Sequence, residues 1–208
     1  MVASNFEKAV RKRLSEISLE KEGEEEMQLV EGAIGFSSSK SFISRAIKWF
    51  TKSKWSHCFV VWRVVGADDD DVLLIEAGEF TVQIVTLSKY KKGDYEFEIY
   101  DVSPLVDVSK KKEADKKLVS KVETFYGWLQ LVGFGIVILL RKWFGWKSKK
   151  NIWGRGKICS EIVAEYLIDC GVDRQSLCGD KDINLISPED IYRFVINQNC
   201  SVILKKQK

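Results

Sequence analysis

The sequence contains one histidine, His57, so any reaction that needs an imidazole must use this residue. His57 lies where the polar segment 52–56 gives way to an apolar run rich in β-branched and aromatic residues, a pattern that predicts a β-strand. A side chain at the edge of a strand is held by a rigid sheet and is still reachable, which suits a catalytic base. The alternative is that His57 only completes the strand.

Cys159 is the second candidate because it follows a Gly-x-Gly-x-x segment and begins a predicted amphipathic helix. Free N–H groups and the helix dipole at that end favour a thiolate, and the nearby basic residues Arg155 and Lys157 act in the same direction. The same N–H groups could hold an oxyanion. The alternative is a small buried apolar residue, which is the better interpretation of Cys170 and Cys200.

Glu76 is the third candidate because it interrupts the apolar segment 72–77, where an unpaired carboxylate would cost stability. Pairing with His57 would supply a partner and fix the tautomer of the ring. Side chains alternate between the faces of a strand, so the two share a face only if Glu76 lies opposite an odd-numbered residue, such as Phe59 or Val61. The alternative is a solvent-facing glutamate on an edge strand.

The composition indicates one globular core. The chain has 208 residues, 45% of them apolar, which is enough for a sizeable domain. The net charge of +3 is too small to indicate a class of partner, although segment 141–157 carries seven basic residues and no acidic one. This basic segment is short and accompanies no nucleic-acid-binding motif, so we do not expect nucleic acid as a partner.

The cysteines and the N-terminus predict a reducing, cytoplasmic environment. The five cysteines form no CxxC pair, which argues against a disulfide framework and against a zinc site. Residues 1–27 have no apolar core and do not resemble a secretory signal. They form either an amphipathic helix or a loosely packed arm. The apolar stretch 125–140 is shorter than the roughly 20 residues of a spanning helix. A viral protein would have the same features.

The order of predicted elements indicates an α+β domain with a central antiparallel sheet. A short strand and turn at 28–36 precedes a helix that is capped by Ser41 or by a serine of the triplet 37–39. A β-hairpin then joins 58–65 to 72–77, and further strands follow at 81–87 and 95–102. Helices are predicted at 114–126 and 128–144, from Cys159 to a stop at Gly171, and after the capping residue Ser187, with a last strand at 201–204.

Three short motifs give a family resemblance. In chain order, the sequence contains WSHCFVV, a hairpin to LLIEAG and, much later, KICSEIVAEYL. This order resembles the circularly permuted, YiiX-like branch of the NlpC-like papain-fold amidases. The stretch SKSFISRAIKWFTKSKWSH and the region 125–127 are also similar to that branch, so the match covers roughly residues 30 to 195. The resemblance implies a permuted papain-like domain over 28–208, after the arm 1–27. Two features depart from the family pattern: an apolar and basic helical insertion at about 125–155, and Cys58 directly after the histidine.

The resemblance implies a cysteine hydrolase, an amidase or peptidase, in which Cys159 is the nucleophile, His57 the base and Glu76 the third polar residue. The reaction would be acyl transfer from an amide through a thioester, with no metal or organic cofactor. The implied substrate is a peptide, such as a cell-wall peptide, or another acyl amide.

Two other functions stay open from the sequence. Aromatic and basic residues of segment 128–157 have a composition suited to contact with an anionic membrane surface, which would fit a lipid acyl hydrolase or acyltransferase. The alternative is that this segment forms a buried helix followed by a solvated basic loop, which would have the same composition. The third possibility is a catalytically idle module of the same fold, such as a virion component.

Overall fold

The computed structural model describes residues 29–78, 81–123 and 158–207, and these form an α+β domain. The strands are β1 (Ile34–Ser39), β2 (His57–Val64), β3 (Val72–Ala77), β4 (Val82–Thr86), β5 (Tyr95–Tyr100) and β6 (Val202–Lys206). The helices are α1 (Phe42–Thr51), α2 (Ser88–Lys92), α3 (Val108–Val119), α4 (Cys159–Asp169), α5 (Arg174–Cys178) and α6 (Pro188–Asn197).

The six strands form one antiparallel sheet in the order β4-β3-β2-β1-β5-β6. Strands β2, β3 and β4 pair with their neighbours in sequence, whereas β1 lies between β2 and β5 and the C-terminal β6 forms one edge. The central position of β1 explains why its serines Ser37 and Ser38 are buried. The predicted antiparallel sheet and the α+β class are confirmed.

Both faces of the sheet are covered, so the central strands are apolar on both sides. One face, which includes Phe36, Cys58 and Val60, packs against buried residues of α3, α4 and α6. The other face carries Phe59 and Val61 and packs with buried residues of the β4–β5 connection and of β6. A strand buried on both faces has a continuous apolar run instead of an alternating one, as the sequence CFVV of β2 shows.

The strongest local signals of the sequence are confirmed. The hairpin of β2 and β3 forms where it was predicted. Ser41 caps α1 by accepting a hydrogen bond from the Ser44 amide. Ser187 and Asp190 form a reciprocal capping box at the start of α6. The helix from Cys159 ends before Gly171, whose φ of +99° suits a residue without a side chain.

Two local predictions have the wrong bounds, and one helix was not predicted. The strand expected within 28–36 lies further along the chain, since β1 spans Ile34–Ser39 and includes the serine triplet 37–39, which leaves Ser41 as the cap of α1. Helix α3 begins six residues before the predicted start at 114, since the Asp107 side chain caps it by accepting from the Ser109 amide. Helix α2 was not predicted; its five residues are too few for an apolar period to be recognised.

Several predictions fall outside the described residues: the arm 1–27, the helix 128–144, and the whole of the helical insertion at about 125–155 with its basic sequel. The division of the chain at residue 28 therefore stays a prediction. Within the described ranges, no helix is both long and apolar enough to cross a membrane.

Candidate active site

Cys159 is the first residue of α4 and is 7% exposed. The preceding residue, Ile158, has no side chain that could cap the helix, so no side-chain cap occupies the first-turn amides. Unsatisfied N–H groups at this end give the partial positive charge that favours a thiolate and can bind an oxyanion. The local structure thus places the sulfur where the sequence analysis expected it.

His57 is the first residue of β2, opposite Ser37 of β1 in the strand register. Its side chain is 22% exposed, and its Nε2 atom lies 3.3 Å from Oε2 of Glu76. The end of the strand therefore holds the imidazole with one side toward the carboxylate while part of the ring stays open to solvent.

Glu76 lies opposite Phe59, an odd-numbered residue, which is the register under which Glu76 and His57 share a sheet face. The neighbouring strand pairs it with Gln83, whose Nε2 donates to Oε1 over 2.8 Å. Lys89 donates to the same oxygen, and the hydroxyl of Tyr90 donates to Oε2. The Glu76 carboxylate is 1% exposed, and these donors offset the cost of burying its charge.

The packing of aromatic rings fixes the position of Tyr90. Its ring stacks on Phe59 with the centroids 4.6 Å apart. The Phe59 ring in turn lies over Gly35 of β1, so close that a Cβ atom at this glycine would be 2.1 Å from it. Gly35 therefore leaves room for the aromatic pair that carries the Tyr90 hydroxyl to Glu76.

Burial and charge shift the pKa values of the three residues in a consistent pattern. Burial by itself would lower the pKa of His57, but the negative charges of Cys159 and Glu76 and hydrogen bonds to both raise it to about 10. Burial would raise the pKa of Glu76, but its interactions with His57 and Lys89 lower it. The carboxylate is thus ionised, and the imidazole carries a proton at neutral pH.

The pKa of Cys159 is lowered well below its usual range. Hydrogen bonding from the Cys58 thiol contributes most, and the charge of His57 acts in the same direction against the effect of burial. Burial and the hydrogen bond to Cys159 raise the pKa of Cys58, so Cys58 keeps its proton and donates it. The two sulfurs belong to the same buried cluster, on the sheet face that packs against α4.

The other cysteines have no such environment. Burial raises the pKa of Cys170, Cys178 and Cys200. Cys170 has no exposed surface, whereas Cys200 is half-buried. Among the described cysteines, the geometry therefore favours a thiolate at Cys159.

The structure brings together the three residues that the sequence analysis selected, and it adds Cys58, Gln83, Lys89 and Tyr90, which that analysis missed. One of these could have been found from the sequence. Only four residues separate Ala77 from Val82, its partner in β4, and this register puts Gln83 directly opposite Glu76. Lys89 and Tyr90 gave no such signal because they lie in the unpredicted helix α2.

Comparisons with known proteins support the fold. No family model and no curated protein match the chain. Among solved structures, it is similar to YiiX from Escherichia coli O157:H7, which is described as a metalloprotein. The two share 19% sequence identity with a TM-score of 0.55, over 87% of this chain and 99% of YiiX. The similarity supports the YiiX-like fold that the sequence motifs implied.

The description of YiiX as a metalloprotein raises the question whether this chain has ligands for a metal. Within residues 29–78, 81–123 and 158–207, no group of three or more His, Cys, Asp or Glu side chains is arranged to hold an ion. The donors around Glu76 are also cationic or neutral: Lys89, Tyr90 and Gln83 all donate to it. The described residues therefore do not fit a metal centre.

Proposed function

We propose that the protein is a cysteine hydrolase that cleaves an amide bond with Cys159 as nucleophile, His57 as proton donor and acceptor, and Glu76 as the residue that orients His57. The observation that carries this proposal is the grouping of three side chains: His57 lies 3.3 Å from Glu76 and hydrogen-bonds to Cys159, the first residue of α4. The pKa of Cys159 is lowered and that of His57 is raised, in agreement with this grouping. Paired shifts of this kind are typical of a thiolate–imidazolium pair.

The proposed reaction has two acyl-transfer steps. The Cys159 thiolate attacks the carbonyl carbon, and the carbonyl electron pair moves to an oxyanion that the first-turn amides of α4 can stabilise. His57 then gives its proton to the leaving nitrogen as the C–N bond breaks, which leaves a thioester on Cys159. Neutral His57 next takes a proton from water, the resulting hydroxide attacks the thioester, and the C–S bond breaks to release the acid.

Glu76 has a supporting role in this proposal. Hydrogen bonding between its carboxylate and Nε2 leaves the other ring nitrogen, Nδ1, to exchange a proton with the reacting groups. The negative charge also stabilises the imidazolium form of His57. Since four groups in total hydrogen-bond to the Glu76 carboxylate, its orientation is fixed before substrate binds.

For the substrate, the motif resemblance favours an amide in a peptide, such as a cell-wall peptide. An acyl chain on a lipid is the second candidate. The observation that favours it is the exposure of Phe42 and Trp49, at 84% and 64%, on the helix that precedes His57. Both substrates would react through the same thioester.

Alkylation by iodoacetamide tests the activated thiol. Near pH 7 we expect Cys159 to react at least about tenfold faster than Cys200, measured peptide by peptide by mass spectrometry. Cys200 is the internal control because it is more exposed but has a raised pKa. The rate at Cys159 should already be near its plateau at neutral pH, whereas an ordinary thiol becomes faster up to about pH 8.5.

If Cys159 reacts no faster than Cys200 in the folded protein, the active thiolate is excluded and an idle module of the same fold is the remaining explanation. Turnover is tested separately with a library of peptides and acyl amides. Cys159→Ser should abolish hydrolysis of any amide that the unmodified protein cleaves, while Cys200→Ser should not change it.

A further inference from the structure

Helix α1 presents an aromatic surface that takes no part in the proposed chemical steps. Phe42 and Trp49 are seven residues apart and therefore lie on the same face of the helix, with Arg45 between them. The two aromatic side chains are 84% and 64% exposed, and two large exposed aromatic residues on one helix face are a feature of interaction sites. Buried Ser44 lies on another side of the helix, which is therefore amphipathic.

The chain segment that contains this face carries charges of a single sign. Segment 40–54 contains five basic residues and no acidic residue. Lys54 is paired with Glu98 at 2.7 Å, so its charge is balanced. The remaining four, Lys40, Arg45, Lys48 and Lys52, take part in no ion pair in the part of the chain that the structure describes.

We propose that α1 binds the surface of a bilayer that contains anionic lipid. Phe42 and Trp49 would enter the boundary between headgroups and acyl chains, and the four unbalanced cations would contact lipid phosphates. Exposed aromatic residues next to an all-basic rim are the composition of an interfacial helix. A second copy of the chain is a poorer occupant, because a two-fold contact would place this positive rim against itself.

Binding through α1 would bring the candidate site close to the membrane. The side chain of Ser44, in the first turn of α1, lies 2.7 Å from that of Ser56, the residue before His57. Ser39 at the end of β1 also donates its amide to Ser44. The helix is therefore attached to the strand end that carries His57. The membrane proposal itself does not depend on the hydrolase chemistry.

Vesicle flotation tests the proposal with the full chain. We expect the protein to float with vesicles of phosphatidylcholine containing about 30% phosphatidylserine and to stay unbound with phosphatidylcholine alone. The double variant Phe42→Ser/Trp49→Ser should bind about tenfold more weakly or worse. The double variant Arg45→Gln/Lys52→Gln should also bind roughly tenfold more weakly, with a smaller effect of added salt.

The matched control is Val108→Ser, since Val108 is an apolar residue that is 82% exposed outside the α1 face. It should bind as the unmodified protein does, and circular dichroism should show that all variants are folded. Cys159→Ser should also bind normally, which separates membrane binding from the hydrolase proposal. Absence of binding to anionic vesicles overturns the inference. So does normal binding of the Phe42/Trp49 variant, because the contact would then lie elsewhere, as in segment 128–157.

Discussion

At the scale of single residues, Glu76 is the charge on which the candidate site depends. One of its oxygens interacts with His57 and Tyr90, and the other accepts from Gln83 and Lys89. A buried carboxylate with this number of donors stays ionised, and its pKa is lowered for this reason. The ionised form in turn helps to keep the proton on His57.

The single histidine gives a direct measurement of this arrangement. An NMR titration of its one Hε1 resonance should show an imidazole that keeps its proton up to a pH of about 10. Cys159→Ser and Glu76→Gln should each lower the pKa of His57, because each removes a negative charge that stabilises the imidazolium. When either negative charge is removed, the remaining one compensates less of the pKa decrease that burial causes at His57.

Cys200→Ser serves as the control in that titration, and it should leave the His57 resonance unchanged. An unmodified protein whose histidine titrates near the ordinary value of about 6.5 would contradict the thiolate–imidazolium pair.

At the scale of elements, the C-terminal strand β6 supports the helix that holds Glu76. Lys206 of β6 donates to the backbone oxygens of Tyr90, Lys91 and Gly93, at 3.3, 2.6 and 2.9 Å. These carbonyls lie at the C-terminal end of α2, where a cation is favourable. A helix of five residues has little stability of its own, so this tertiary contact is important for it.

Lys206→Met should therefore destabilise the protein by about 1 kcal/mol, since three hydrogen bonds from a charged group are lost at a partly exposed position. Urea unfolding followed by circular dichroism measures the change. The matched variant Lys205→Met removes a lysine from the adjacent, exposed position and should stay within about 0.5 kcal/mol. Equal effects of the two variants would show that the contact to α2 contributes nothing.

The elements differ in how far the sequence predicts them. Helix α1 and the β2–β3 hairpin have strong local signals, a capping serine and two apolar runs around an acidic turn, and both form as expected. Helix α2 has neither an apolar period nor a side-chain cap, and its contacts with Glu76 and β6 are distant in sequence. Local propensity is too weak to specify such an element.

At the scale of the whole molecule, the candidate site exists only when the sheet and α4 are assembled. His57 and Glu76 lie on one face of the sheet, and Cys159 belongs to the core of the other face, next to Cys58. Because His57 is the first residue of β2, at the end of the sheet, it interacts with both Glu76 and Cys159. The lowered pKa of Cys159 depends mainly on Cys58 and His57, which reach it through the fold and not through neighbouring sequence.

Unfolding should therefore remove the selectivity of alkylation. In concentrated urea we expect the five cysteines to react with iodoacetamide at similar rates, because the thiol of Cys159 returns toward the ordinary pKa of about 8.5. As urea is increased, the ratio of the Cys159 rate to the Cys200 rate should fall toward one at the same midpoint as the circular dichroism signal. Selectivity that persists in unfolded protein would assign the reactivity to local sequence instead.

The sequence by itself determined the residue types and their local positions. It placed His57 at a strand end, Cys159 at a helix start and Glu76 within a buried strand, because capping, apolar runs and turn composition act over a few residues. The tertiary structure decided that β1 lies between β2 and β5, that Glu76 faces the side of His57, and that Lys89, Tyr90 and Cys58 join the site. Charges and hydrogen bonds at this site act between elements that are remote in the chain, and their strength comes from burial, which exists only after folding.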